Sequence, residues 1–269
     1  MEAVNLDNLS FRREVAADHY AVEEMTRDAF WGLWEPEKSI CDEHLLVHRL
    51  RSADGLVSEL NIVAELEGKL VGHIIYTKAT VIDDGDNEHE VLTFGPLTVS
   101  PRVQSLGIGK ALMRYSFDVA RRLGYRAVLI FGHPNYYPRI GFRPASEFGI
   151  TTEDGSSFDA FMAYPLFEGA LDGIRGRYII DDVYMGLTQD DALEFDKNFP
   201  PREPYHNRPI SILLDRLEPA ARKAMEKTGI VSLEMMTEKS AREILELPGM
   251  DEQGLGAIFR VLREYSVKW

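Results

Sequence analysis

Residues 104–112 read QSLGIGKAL, with two glycines one residue apart and then a lysine, where an extended segment gives way to a helical one. Glycine lets a backbone approach a ligand closely, and the first amides of a helix have no partners inside it, so such a turn can take a pyrophosphate. A Walker loop requires G-x-x-x-x-G-K-[ST]; Gln104 stands at its first glycine and Ala111 at its magnesium-binding hydroxyl, so that pattern fails. A dinucleotide turn requires G-x-G-x-x-G, and Leu112 occupies the third glycine position. What survives is [QR]-x-x-G-x-[GA], formed by Gln104, Ser105, Leu106, Gly107, Ile108 and Gly109, with Lys110 following. On these residues alone it is either an anion-binding turn or an ordinary glycine-containing helix start. Arg102, Lys110 and Arg114 surround it, as partners for an anion or as a solvated face.

Other residue types could also do chemistry. His44 and His48 share a helix face in HLLVH, but leucine replaces the glutamate of an H-E-x-x-H zinc site and no third ligand stands out, so no metal is expected. Cys41 is the single cysteine, which excludes an intrachain disulfide and a cysteine-based zinc site. Glu88, His89, Glu90 and His133 are candidates for a general base, and no spacing chooses among them. Trp31 and Trp34, in a loop, either grip a substrate or pack onto the sheet.

The elements that must position these residues follow from periodicity. FRREV (11–15) reads as a strand, and AADHYAVEEMTRDAF after it as a helix with Asp18 as its cap. A second amphipathic helix starts at Asp42. LNIVAEL, EGK and LVGHIIYTKATVI form a β-hairpin, and EVLTFGPLTVSP is a further strand ending at Pro101. From Ile108 the period becomes helical, with Leu112, Tyr115, Val119 and Leu123 on one side and Gly124 as the stop. RAVLIFG and FDAFMAYPL are strands separated by the compact turn HPNYYPRIGF. The order β-α-α-β-β-β-α-β-α-β, with one βαβ crossover, predicts an α/β (α+β) mixed sheet with helices on both faces.

Three separated stretches, GPLTVSP, QSLGIGKALM and YYPRIGFRPA, together resemble the GNAT superfamily of acetyl-CoA-dependent N-acetyltransferases, over roughly residues 10–167. The resemblance is to a bacterial branch with a G-P-L-x-V strand before its Q-x-x-G-x-G loop. It implies a GNAT-like acyl-CoA N-acyltransferase fold with acetyl-CoA as acyl donor and no metal. The pantetheine arm would then lie along Leu97, Thr98 and Val99, and the pyrophosphate on the amides from Ser105 through Lys110, with Gln104 opening the loop. The resemblance also implies direct attack of an amine on the thioester, with the Val99 amide as oxyanion donor. Tyr137, in the family's Y-x-x-x-G-F pattern, would be proton donor to the thiolate. Its phenol, with a pKa of about 10, is protonated at neutral pH; packing against the coenzyme or the core is the other reading. A water chain replaces a single base in many members.

The C-terminal third is set apart by texture. Residues 1–168 are expected as the acetyltransferase domain, 169–209 as an extended connection with one short helix, and 210–269 as a smaller helical region. There, LPGMDEQG resembles a helix-hairpin-helix turn, but Asp251 replaces its second glycine. Residues 210–269 hold nine Lys or Arg against ten Asp or Glu, so no basic field favours nucleic acid. Met225, Met235 and Met236 are expected as core filler. The formal charge of −14 likewise argues against a nucleic-acid surface and suits a cationic substrate, and the apolar content, with no membrane-length apolar run and no signal-peptide core, is expected of a cytoplasmic globular protein. The expected partner is a small-molecule amine acceptor, with neither nucleic acid nor membrane, and a homodimer is compatible. Two competing hypotheses are a non-catalytic acyl-CoA sensor whose C-terminal helices dock a partner and a nucleic-acid-directed protein that uses the tail.

Overall fold

A computed structural model describes residues 6, 8–31, 41–104, 106–134, 136–201, 210–230, 232–233, 235–236, 239–265 and 267. After strand β1 (Leu9–Arg13), a 3-10 turn runs into helix α1 (His19–Phe30), and α2 (Glu43–Leu50) follows. Asp18 makes no cap bond to α1; its carboxylate instead reaches back to the Val15 N–H at 2.9 Å and receives Arg12 at 2.6 Å. The expected hairpin is β2 (Ile62–Leu66) and β3 (Lys69–Ile74), turned by Glu67 and Gly68, both at positive φ.

The apolar run after Gly68 bends once. β3 stops at Ile74, and β4 (Tyr76–Ile82) continues into a second sheet. Its partner β5 (Glu88–Phe94) breaks at the same level, across Gly95–Leu97, before β6 (Thr98–Val99), and the Gly95 N–H donates to the Ile75 carbonyl at 2.9 Å. A side chain at Gly95 would collide with Leu50 of α2, so glycine allows α2 to close on the bend. One long hairpin thereby serves two sheets. The first has the order β1-β2-β3-β6. The second adds β7 (Ala127–Phe131), β8 (Arg143–Pro144), β9 (Ile150–Thr152), β10 (Phe161–Pro165) and β11 (Gly176–Ile179) in the order β8-β10-β7-β5-β4-β11-β9.

Helix α3 (Ile108–Arg122) crosses from β6 to β7. It buries Ile108, Leu112, Met113, Ser116, Phe117 and Ala120. Of the face expected from spacing, Leu112 is buried, Tyr115 is half-buried and stacked on Phe11 at 4.9 Å, and Leu123 is exposed. Spacings of three and four fit two overlapping stripes, and the sheet takes the one carrying Met113 and Phe117. Inside it Tyr76 donates to Ser116 Oγ at 2.7 Å, since the Ser116 hydroxyl is committed to the Met113 carbonyl at 2.8 Å.

The segment 169–209 contains the expected short helix, α4 (Gln189–Asp196), but Gly176–Ile179 is a strand of the larger sheet rather than an extended connection. Gly176, at φ +132°, passes so close to the Ile82 backbone that no side chain fits, which is what brings β11 alongside β4. Helix α4 is tied to α1 by Arg27, which is 1% exposed and grips Asp196 through two bonds of 2.5 and 2.7 Å.

Helices α5 (Ser211–Leu214), α6 (Pro219–Glu226), α7 (Ala241–Leu245) and α8 (Glu252–Glu264) share an apolar core that includes Met225, Met236, Ile258 and Leu262, with Met235 packed at its edge. Trp31 and Cys41, from the ends of α1 and α2, are buried in that same core, so the tail packs on the N-terminal unit. Helix α8 also packs on Pro101–Val103, which leads into the glycine turn. Asp251 is the N-cap of α8, accepting the Gly254 N–H at 2.7 Å, and Gly249, at φ +96°, lies against the Ala220 carbonyl.

Candidate functional site

β5 and β7 run parallel but share only one pair, Leu92 with Val128. Beyond it β6 follows β3 and β7 follows β10, so the two strands diverge and leave a fork between sheets that hydrogen bonds do not close. The wall of the fork is active backbone. The Ser100 N–H donates to the Val71 carbonyl at 2.9 Å, so Ser100 and Val71 are a hydrogen-bonded pair, and antiparallel alternation makes Val99 and Gly72 a non-bonded one. The N–H and C=O of Val99 therefore point away from β3 and into the fork. Gln104 fixes that edge, its side-chain amide donating to the Val99 carbonyl at 3.1 Å.

At the head of the fork stands the glycine turn. Gly107 is the N-cap of α3 in the left-handed region, φ +90° and ψ 0°, a conformation that a side chain would strain. The first intrahelical bond runs from the Ala111 N–H to the Gly107 carbonyl at 3.0 Å, which leaves the amides of Ile108, Gly109 and Lys110 without helical partners. Those amides lie at the positive end of the helix, and Gly109 sits against Val99 and Leu97. Arg102, Lys110 and Arg114 are exposed around it, and none has an ion-pair partner among the described residues. Leu106 is exposed on the turn; Ser105 lies outside the described residues.

Not every expected residue faces this cleft. Thr98 turns its side chain the other way, where its hydroxyl meets Thr26 of α1 at 2.9 Å, because the pleat sends alternate residues to opposite faces. Leu97 and Val99 face α3 and pack on Gly109. Glu88, His89 and Glu90 sit at the far end of β5, where His89 bonds Asp83 at 3.1 Å and Glu90 pairs with Lys78 at 2.9 Å. His133 follows β7 at the fork and is exposed. His44 is buried against Phe195 and Phe199 with Asp196 at 3.4 Å, whereas His48 is exposed, also packs on Phe195 and is bonded to Glu23 at 2.9 Å, so the two have separate carboxylate partners. Trp31 is buried beneath the Arg27 guanidinium, 4.6 Å from its ring centre, and Trp34 lies outside the described residues.

Two tyrosines close the floor of the fork. The Tyr137 ring packs on Phe94 at the end of β5, on Phe142, and on Gly132 just past β7, which places it between the diverging strands. Burial, and secondarily the neighbouring Tyr136, raise its pKa above the ordinary phenol value, so it is protonated at neutral pH. Tyr136 spans the cleft. It projects from the β7 side, and its hydroxyl lies against Gly109, beside Leu97 and Val99. Neither Tyr136 nor Gly132 was singled out by sequence reasoning; the Tyr-Tyr doublet and the glycine ending an apolar strand were the available signals.

Comparisons with known proteins agree with this geometry. Residues 23–142 match the model for the acetyltransferase (GNAT) family. The chain is 37% identical over 101 residues to the uncharacterized N-acetyltransferase YjhQ of Escherichia coli K12, covering 38% of this chain and 55% of YjhQ, so it spans about half the length of that relative. It is 27% identical over 134 residues to the uncharacterized N-acetyltransferase YhbS of the same organism, covering 50% of this chain and 78% of YhbS. Among solved structures, YhbS from Escherichia coli in complex with CoA superposes with a TM-score of 0.57 at 24% identity, covering 67% of this chain and 94% of that one. A GNAT family acetyltransferase from Brucella melitensis in complex with acetyl-CoA gives 0.51 at 24% identity, covering 65% and 97%. The chain therefore has the GNAT acyl-CoA N-acyltransferase fold, and the family's model matches the segment that builds the fork.

Proposed function

We propose that the chain moves the acetyl group of acetyl-CoA directly to a primary amine, with Tyr137 as proton donor to the departing thiolate. The observation that carries this reading is the fork, which joins an inward-facing backbone edge at Val99, unpartnered first-turn amides at Ile108–Lys110 and a protonated phenol at the point of divergence. Related structures solved with CoA and acetyl-CoA support the choice of donor. The pyrophosphate would rest on the turn amides and the surrounding cations, and the pantetheine along Leu97 and Val99.

The amine nitrogen then attacks the thioester carbonyl carbon, the carbonyl oxygen gathers charge opposite the Val99 N–H, and the C–S bond breaks. Tyr137 passes its proton to the sulfur, and the proton lost by the amine leaves through solvent and restores the phenol. Burial makes Tyr137 a weaker acid than a free phenol, and it would raise the proton affinity of a thiolate formed beside it in the same sense.

Thiol release from acetyl-CoA on adding amines tests this. Tyr137→Phe is expected to lower kcat by about 10²-fold, the lower range for general-acid contributions, with acetyl-CoA affinity unchanged. A full-rate Tyr137→Phe enzyme removes that tyrosine from the mechanism, and tight coenzyme binding without release across a broad amine panel removes the enzyme reading altogether.

A further inference from the structure

Both faces of β5 and β7 are packed, but at the fork end one of them opens at Phe131. On β5 and β7, Leu92, Phe94, Val128 and Ile130 turn toward α3, where Tyr137 and Phe142 pack against them. Val91 and Leu129 turn to the opposite face, and strand alternation puts Phe131 with them. Counting three residues from the single bridge, Leu92 with Val128, sets Phe131 level with Gly95, where the strands begin to part. At that level the α3 side is packed by Tyr137 and Phe142, whereas Phe131 on the other face is half-exposed.

That face presents aromatic surface. Phe131 is 49% exposed and Phe158 48% exposed, and their rings stack at 5.8 Å between centres and 17° between planes. Beneath them, buried Phe161 holds the Phe131 ring at 5.0 Å and buried Tyr178 at 6.1 Å, so the wall is anchored from below and open above. The Tyr178 hydroxyl is buried and faces Thr93. Two half-exposed, nearly parallel phenyl rings at the mouth of a reaction cleft suit a flat ring stacked on them; a linear polyamine is recognised by carboxylates spaced along its length, which a pair of phenyl rings does not supply.

Resting on the acetyl-transfer reading, we propose that the acceptor is an amine carried on an aromatic ring, stacked on Phe131 and Phe158 with its nitrogen directed into the fork. The test measures CoA release with 2-phenylethylamine, tyramine and tryptamine against spermidine, lysine and a short peptide with a free N-terminus. The arylethylamines are expected to give kcat/KM at least tenfold above the others. Phe131→Ala and Phe158→Ala should each raise KM for the best arylethylamine about tenfold, the loss of one aromatic contact, with acetyl-CoA affinity by calorimetry unchanged and Phe131→Tyr near wild type. Phe158 lies in an exposed loop, so its variant reports even where the strand variant misfolds. Preference for spermidine, lysine or the peptide, or an unchanged KM in Phe158→Ala, overturns the aromatic assignment and leaves acetyl transfer standing. The absence of CoA release with every amine tested overturns acetyl transfer itself.

Discussion

Gly132→Ala tests whether Tyr137 acts through its position. The glycine has an ordinary φ, so the substitution adds volume without backbone strain. An ideal Cβ at this position would stand 2.5 Å from Tyr137 Cδ2, closer still to Cε2, and 3.0 Å from Ile130 Cδ1. Ordinary contact begins at 3.4 Å, so the ring must retreat by about 1 Å, a displacement that can cost on the order of 10²-fold in rate. Phe94 and Phe142 block retreat on two sides, which makes the overpacking cost about 1–3 kcal/mol of stability. The assay is steady-state thiol release, with calorimetric acetyl-CoA affinity and a thermal melt as controls. The expected result is kcat reduced about 10²-fold with coenzyme affinity retained, and almost no further loss on adding Tyr137→Phe, because both changes remove the same proton donor. Losses that multiply in the double variant, or a Gly132→Ala enzyme at full rate, would refute the reasoning.

Two further outcomes concern the frame around the site. Asp196→Asn leaves the Arg27 guanidinium buried with its ion pair removed, at a cost of roughly 3 kcal/mol, the low end because the Asp196 side chain is 23% exposed; hydrogen exchange should accelerate across residues 189–199, and unchanged protection there would show that the pair does not hold α4. His73, buried on β3 and bonded to Asn61 at 2.8 Å, has its pKa pushed down to about 4, chiefly by burial. The unfolded chain binds that proton near pH 6.5, so the stability from keeping His73 neutral is complete above that value. It is lost as pH falls toward 4, by about 3 kcal/mol in total. Urea melts of His73→Gln should be flatter than wild type across that window, and parallel profiles would exclude His73 as the source.

Much of the fold was legible because its signals are short-range. Helical and strand periods located α3, β5 and the hairpin, and Gly107 marked the start of a helix, whose left-handed N-cap only the structure showed. The strand β11 was not legible: GRYI has no length and no alternation to set it apart, and it joins the sheet only because Gly176 fits against the Ile82 backbone. The side-chain direction of Thr98 was not legible for a different reason. A two-residue strand after a break has no inherited phase, so which way its side chain points depends on where the chain resumes pairing with β3.

By itself the sequence determined a glycine-containing helix start: Gly107 and Gly109 need nothing beyond local backbone geometry to begin a helix with open first-turn amides. Tertiary structure alone decided that β5 and β7 part after one shared pair, that Tyr137 stands in the opening while Tyr136 spans it, and that Phe131 and Phe158 remain half-exposed on its far face. Those outcomes depend on contacts between residues tens of positions apart, where packing among competing neighbours, rather than any local preference of the chain, selects the arrangement.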